Sequence, residues 1–148
     1  MSEQKLRRLE YPLEVEHIEG KRGLLKVGKH EIEVATPPEF RGPEGYISPE
    51  DLYVASAGVC IMSTFLTMAE RAKANFKSYR SKTIGILQQQ EDRSYLFEDL
   101  YVDIYVVVPA EEDIKRVHRA VELVEKYCLV TNSMKTKTHI TPHIEVKP

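Results

Sequence analysis

Apolar and polar positions alternate in Leu13-Glu14-Val15-Glu16 and again in Ile32-Glu33-Val34, and Leu24-Leu25-Lys26-Val27 between them is apolar with one lysine. A period of two is that of a half-buried strand, so short strands are expected here, turning near Gly20 and Gly28. From Pro37 to Pro49 four prolines and two glycines interrupt every pattern, and an irregular loop is expected. Ser48-Pro49-Glu50-Asp51 then starts a helix. Ser48 can cap it, Pro49 suits the first helical position, and the acidic pair complements the positive end of the helix dipole. The helix is expected to run to about Ala74. Between Leu52 and Ala69 it holds no charged residue, the pattern of a helix buried on nearly every side in a core completed by a partner chain.

Two longer strands follow, about Lys77–Gln90 and Tyr95–Val108, joined by the polar turn Glu91-Asp92-Arg93-Ser94. Leu100, Val102, Ile104, Val106 and Val108 share one face; Tyr101, Tyr105 and Val107 share the other. Both faces are apolar enough to expect a sheet covered twice. Pro109 ends the strand. From Ala110 to Cys128 the residues Ile114, Val117, Val121, Val124 and Cys128 form one stripe of an amphipathic helix. Thr138–Val146 reads as a final edge strand, where Pro142 is tolerated. Strands, helix, hairpin, helix and strand make one α+β domain over 1–148, without a repeated βαβ unit.

Composition narrows the function classes. A chain of 148 residues, 42% hydrophobic and 30% charged, can bury roughly 70% of its unfolded surface in one core. A formal net charge of -2 supplies no attraction toward nucleic acid or an anionic membrane, and neither partner is expected. Serines and threonines at 56, 63, 64 and 67 dilute the apolar stretch that comes nearest to the ~18 residues of a membrane span. Met1–Glu10 is charged and lacks the apolar run of a signal peptide, so a cytoplasmic location is expected. The five histidines and two cysteines show no paired ligand spacing, and no metal is expected. The seven glycines are scattered and form no phosphate cradle. No serine sits in a nucleophile elbow.

Cysteine remains as the residue type arranged for covalent chemistry. Cys60 lies in the middle of the uncharged helix and Cys128 ends the stripe of the second, so a meeting of the two is geometrically open. Spacing and burial alone favour two inert thiols, since free cysteine often serves as a small core hydrophobe. Two cysteines are too few for a disulfide scaffold, and in a reducing compartment a bond between them would be transient and redox-active. A reactive thiol must also ionise. Burial opposes that, and the helix dipole fades within the first turn, whereas Cys60 lies three turns past Ser48. Reactivity at Cys60 therefore requires a cation from elsewhere, with the N-terminal strands as the natural supplier.

The segments Ala35-Thr36-Pro37-Pro38-Glu39-Phe40, Gly42-Pro43-Glu44-Gly45, Ser48-Pro49-Glu50-Asp51-Leu52 and Ala57-Gly58-Val59-Cys60, with Glu125-Lys126-Tyr127-Cys128 and Leu129-Val130-Thr131-Asn132-Ser133-Met134, resemble the OsmC/Ohr family. Those names stand for osmotically inducible protein C and organic hydroperoxide resistance protein. The resemblance spans about Gly20 to Val146. It implies antiparallel sheets wrapped around two central helices in an intertwined homodimer, and reduction of organic hydroperoxides to alcohols without a cofactor. Cys60 matches the family's peroxidatic cysteine, Cys128 its resolving cysteine and Glu50 the acid that holds a catalytic arginine. Arg22 is the best match for that arginine, with Lys21 as the alternative, because Gly20-Lys21-Arg22-Gly23 departs from the usual pattern. Leu129 follows Cys128 where the family usually has proline.

The resemblance further implies a Cys60 sulfenic acid, a Cys60–Cys128 disulfide and a small or protein dithiol as reductant. Phe40, Tyr53, Val54 and Phe65 are candidate apolar walls of a substrate site, although such a residue is more often simply core. Ten positions separate Glu50 from Cys60, about 15 Å along a straight helix. If Glu50 orients an arginine against Cys60, both are expected from the second subunit. Two other readings stay open: a non-catalytic member of the fold that binds a small hydrophobe or lipid, and a redox sensor that hands its disulfide to a regulator.

Overall fold

The computed structural model describes residues 5–148, which fall into two units that meet between Leu52 and Tyr53. In the first, β1 (Glu14–Glu19), β2 (Arg22–Val27) and β3 (His30–Ala35) form an antiparallel sheet in the order β1-β2-β3. Gly20 and Gly28 make its turns at φ of 54° and 58°, a left-handed region that penalises any Cβ. After the proline-rich loop, the Ala35 N–H donates to the Ile47 carbonyl at 3.0 Å and returns the chain to the sheet. Despite their alternation, these strands are largely exposed among the described residues. Of their residues only Leu25 and Ala35 are buried, and Val15 is 62% exposed.

Helix α1 (Pro49–Arg71) begins as the sequence dictates. The Asp51 N–H donates to Ser48 Oγ at 3.1 Å, and the Ser48 N–H donates to Asp51 Oδ2 at 2.9 Å. This reciprocal pair is a capping box closed by an aspartate. The helix stops at Arg71, short of Ala74, because Lys73 turns left-handed at φ 55°. There the Ala74 N–H caps the Ala69 carbonyl, as helix C-termini commonly do.

In the second unit β4 (Ser78–Gln89), β5 (Tyr95–Val108) and β6 (Lys137–Val146) form one sheet in the order β4-β5-β6. The β4–β5 pair is antiparallel, but β6 runs parallel to β5. The expectation of purely antiparallel sheets is corrected at this strand. A parallel neighbour needs a crossover, and helices α2 (Glu112–Tyr127) and α3 (Leu129–Asn132) provide it. Ile61, Phe65 and Met68 of α1, Val102, Ile104, Val106 and Val108 of β5, and Val117, Val121 and Val124 of α2 form one buried cluster with Cys128.

Within one chain the coverage of these elements is partial. On helix α1 the row Ala57, Ile61, Phe65, Met68 and Ala69 is buried, while Val59 is 59% exposed and Met62 and Leu66 are exposed too. Its uncharged surface is wide enough for two partners, and β5 and α2 occupy one. By length and composition alone α1 is apolar enough to cross a membrane. The sheet, in turn, is covered on one face only within the chain. On its other face Tyr101 is 48% exposed, Tyr101 and Tyr105 stack on His139 and His143, and these imidazoles meet Asp99 and Asp103 at 2.7 and 2.9 Å.

Asp113, in the first turn of α2, is 1% exposed and accepts the Asn75 N–H at 3.0 Å. Replacing it by alanine strands that donor. Asp113→Ala is expected to lower stability by about 1–3 kcal/mol, measured as a lower urea midpoint at unchanged slope.

Candidate functional site: a buried thiol pair

Cys60 comes from the middle of α1 and Cys128 from the joint between α2 and α3. Cys60 precedes Ile61 of the buried row by one position, so its side chain stands at the edge of the core and is half-buried. Cys128 is wholly buried. Contrary to the sequence expectation it lies beyond α2, with extended backbone (φ −68°, ψ 104°). Its N–H donates to the Val124 carbonyl at 2.9 Å, and its carbonyl accepts the Asn132 N–H at 3.0 Å. One residue thus closes one helix and opens the next, which fixes where its sulfur points. Both cysteines are free thiols, and their side chains lie close enough for each to influence the ionisation of the other.

Hydroxyls and backbone amides surround the pair. Thr64, one turn beyond Cys60, donates to the Cys60 carbonyl at 2.8 Å and lies 3.9 Å from Cys60 Sγ. Thr131 Oγ1 is 3.3 Å from the Cys128 carbonyl. Burial pushes the Cys60 thiol above its ordinary range, and the neighbouring Cys128 adds to this; the Val130 N–H and the Thr64 hydroxyl oppose without prevailing. Burial also pushes Cys128 up, but the Thr131 hydroxyl and N–H, Cys60 and Thr64 outweigh it, and the thiol lies below its ordinary range. Within one chain the shared proton therefore favours Cys60. The more accessible sulfur is the one less readily ionised.

The cation that could reverse this order is not among the groups that shift Cys60. Arg22 and Glu50 belong to the first unit. Arg22 Nη2 lies 3.4 Å from Glu33 Oε1, and its guanidinium sits 5.2 Å from the centre of the Tyr46 ring. With side chains 28% and 54% exposed, that ion pair is worth about 1 kcal/mol or less and holds Arg22 only loosely. Arg22 Nε and Glu50 Oε2 are each buried without a hydrogen-bond partner among the described residues. Lys21 Nζ donates to the Phe40 carbonyl at 3.0 Å, so of the two candidate cations Arg22 keeps the uncommitted buried donor. Asp51 takes the capping role, which leaves Glu50 free of it.

The four candidate wall residues separate. Phe65 is fully buried and packs on Phe76 and Tyr79, with ring centres 5.5 and 4.9 Å away; it is core. Tyr53 stacks on Phe97 with centres 4.7 Å apart. Thr136 donates to the Phe97 carbonyl at 2.8 Å, so the Tyr53 hydroxyl is the donor in its 2.5 Å contact with Thr136. Val54 lies over Gly85, where a Cβ would come within 2.6 Å of its methyl group. Phe40 is half-buried in the first unit. Thr64, Val130 and Thr131 were not singled out from the sequence. Thr64 had a signal, lying four residues from Cys60 on one helix face. Val130 and Thr131 had none, because their approach depends on the break at Cys128.

The fold and site define an α+β protein in which two helical segments set two free thiols side by side. The chain belongs to the OsmC-like family, whose model, described as OsmC-like protein, matches residues 42–143. Among solved structures, an OsmC-like protein from Vibrio cholerae O1 biovar eltor superposes with a TM-score of 0.80 at 17% identity, covering 93% of this chain and 99% of that one. An organic hydroperoxide resistance protein from Elizabethkingia anophelis gives 0.65 at 20% identity, covering 95% and 100%. One from Legionella pneumophila gives 0.64 at 19%, covering 94% and 100%. These likenesses show the shared fold. The search of curated proteins returns no match.

The hydroxyl chain from Tyr53 through Thr136 to Phe97 ties α1 to the second sheet, and its loss leaves a buried Thr136 oxygen with one partner fewer. Tyr53→Phe is expected to cost about 1 kcal/mol, checked by equilibrium unfolding of the two proteins side by side.

Proposed function

We propose that this protein is a two-cysteine thiol peroxidase that reduces organic hydroperoxides, working as a homodimer in a reducing compartment. The observation that carries the reading is the pairing itself: Cys60 and Cys128, remote in sequence, are brought to one core cluster and into mutual influence, one half-buried and one fully buried. Family membership and the organic hydroperoxide resistance proteins that share the fold support the peroxide as substrate.

The Cys60 thiolate attacks the distal oxygen of ROOH. The O–O bond breaks, the alkoxide takes a proton and leaves as ROH, and Cys60 becomes a sulfenic acid. The Cys128 sulfur then displaces hydroxide from Cys60, which leaves as water and forms the Cys60–Cys128 disulfide. An external dithiol returns two electrons and two protons and is itself oxidised to a disulfide.

The first step needs Cys60 ionised, and the single chain holds its proton in place. We assign the missing charge to Arg22 of a second copy, oriented by Glu50 of that same copy. The unpartnered Arg22 Nε and Glu50 Oε2 support this, as does the distance between Glu50 and Cys60 along one helix. The uncovered apolar surfaces support the dimer: Val59, Met62 and Leu66 on α1, and Leu13, Val15 and Ile18 beside the first sheet. Full burial of such a side chain is worth about 1.5–3 kcal/mol, and because these six are already partly buried, covering them is worth several kcal/mol in all.

Two experiments test the reading. One equivalent of an alkyl hydroperoxide is expected to convert both thiols to one intramolecular disulfide, a loss of about 2 Da by non-reducing mass analysis; an unchanged thiol count rules out the peroxidase. Steady-state turnover with a dithiol then separates an enzyme from a sensor. Mixing a Cys60→Ser chain with an Arg22→Ala chain is expected to restore up to one working site per heterodimer. Verified heterodimers without activity exclude the shared site.

A further inference from the structure

Cys128 presents a problem that the peroxidase reading leaves open. Its sulfur must act as a nucleophile on the Cys60 sulfenic acid and then leave as a thiolate when the disulfide is reduced. Yet it is the fully buried member of the pair, inside a cluster of valines and Phe65. Burial disfavours the anion, and a cation directed at Cys60 stands one sulfur removed. Something local must hold the charge on Cys128 and let its proton come and go.

Two hydroxyls are placed to do so, and they differ in freedom. A threonine hydroxyl has one hydrogen to donate and two lone pairs. Thr64 commits its hydrogen to the Cys60 carbonyl at 2.8 Å. Thr131 holds its carbonyl contact at 3.3 Å, at the long edge of hydrogen-bond distance, where little is lost when the hydrogen turns away. Its carbonyl acceptor, that of Cys128, already receives the Asn132 N–H at 3.0 Å, so release of the Thr131 hydrogen leaves no backbone acceptor unsatisfied. Thr131 also borders open space. It lines a cavity of about 270 Å³ with Glu125, Asn132, Thr136, Thr138 and Ile140. That cavity is rich in hydroxyls, and Thr138 Oγ1, one of its lining groups, is buried without a partner among the described residues.

We propose that Thr131 is the positioning residue of the resolving cysteine: its hydroxyl turns from the Cys128 carbonyl to the buried Cys128 sulfur, holds the thiolate there, and joins it to the hydroxyl-lined cavity as the route for its proton. The inference rests on the reading of Cys128 as the resolving thiol. In disulfide formation the Cys128 proton leaves through Thr131 as the S–S bond forms and hydroxide departs from Cys60 as water. In reduction, the dithiol attacks the accessible Cys60 sulfur and the electron pair of the broken S–S bond goes to Cys128. Reduction is fastest when the leaving thiolate is the stabilised one. The direction of the Cys128 thiol, held below its ordinary range chiefly by Thr131 against its own burial, agrees with this geometry.

The test titrates Cys128 by thiolate absorbance in a Cys60→Ser chain, without peroxide. Cys128 is expected below the ordinary cysteine value of about 8.5; a value at or above it overturns the proposal before any Thr131 variant is made. Thr131→Val in the same background is expected to raise the titration by about one pH unit, as loss of a hydrogen bond to a charged group does. Thr131→Ser is expected to keep it. With Cys60 restored, Thr131→Val is expected to slow the sulfenic-acid-to-disulfide step about tenfold at pH 7 and leave Cys60 oxidation unchanged. A valine variant that titrates with its parent, or slows both steps equally, overturns the role. Because the titration uses no peroxide, a protein that titrates as expected but does not react with hydroperoxide refutes the peroxidase reading and not the Thr131 contact.

Discussion

A sulfur held in an apolar core does not ionise unaided, and the arrangement of this molecule turns on that constraint. Burial lifts both thiols, and what each does afterwards depends on the polar groups within reach. Cys128 has the Thr131 hydroxyl and N–H, with Cys60 and Thr64, together enough to bring it below its ordinary range. Cys60 has the Val130 N–H and the Thr64 hydroxyl, which do not suffice. In one chain the accessible sulfur is the harder of the two to ionise, an order unsuited to attack on a peroxide. On the reading proposed here, assembly of two chains inverts it.

The same incompleteness recurs at every level. Helix α1 has an uncharged surface of which one row is buried, and β1 is exposed along its whole length. Arg22 and Glu50 each keep a buried polar atom unpartnered among the described residues. Unpaired buried polar atoms and broad exposed apolar surface are both unfavourable, the first by about 1–3 kcal/mol per group. On the proposed reading, a fold carrying both in the same chain is one whose native contacts continue into a second copy. The catalytic charge and the missing hydrophobic cover would then arrive together, and peroxide chemistry would be confined to the assembled protein.

Much of the fold was legible in the sequence because its elements are locally consistent. The capping box at Ser48 and Asp51, the alternation of β5 and the stripe of α2 specify those elements without distant help. The failures have physical causes. β6 runs parallel because α2 and α3 carry the chain across the sheet, and strand direction leaves no mark on a period-two pattern. Pattern also reports how apolar a face is and not what covers it, so α1 and the outer face of the second sheet were both read as more buried than one chain makes them. Cys128 was placed inside its helix because the apolar stripe continues to it, whereas the backbone turns extended there.

For the site, the sequence determined the chemistry and the tertiary structure decided its allocation. Two cysteines, an uncharged helix and flanking motifs were enough to mark Cys60 and Cys128 and to show that Cys60, three turns into α1, lies beyond the reach of the helix dipole. Those are properties of residue type and spacing along one element. That the two sulfurs meet, that one is half-buried and the other enclosed, and that Thr131 and Thr64 stand beside them follow from how α1, α2 and α3 pack around the buried face of β5. Thiol ionisation depends on distances of a few ångströms between groups remote in sequence, and only the folded chain sets those distances.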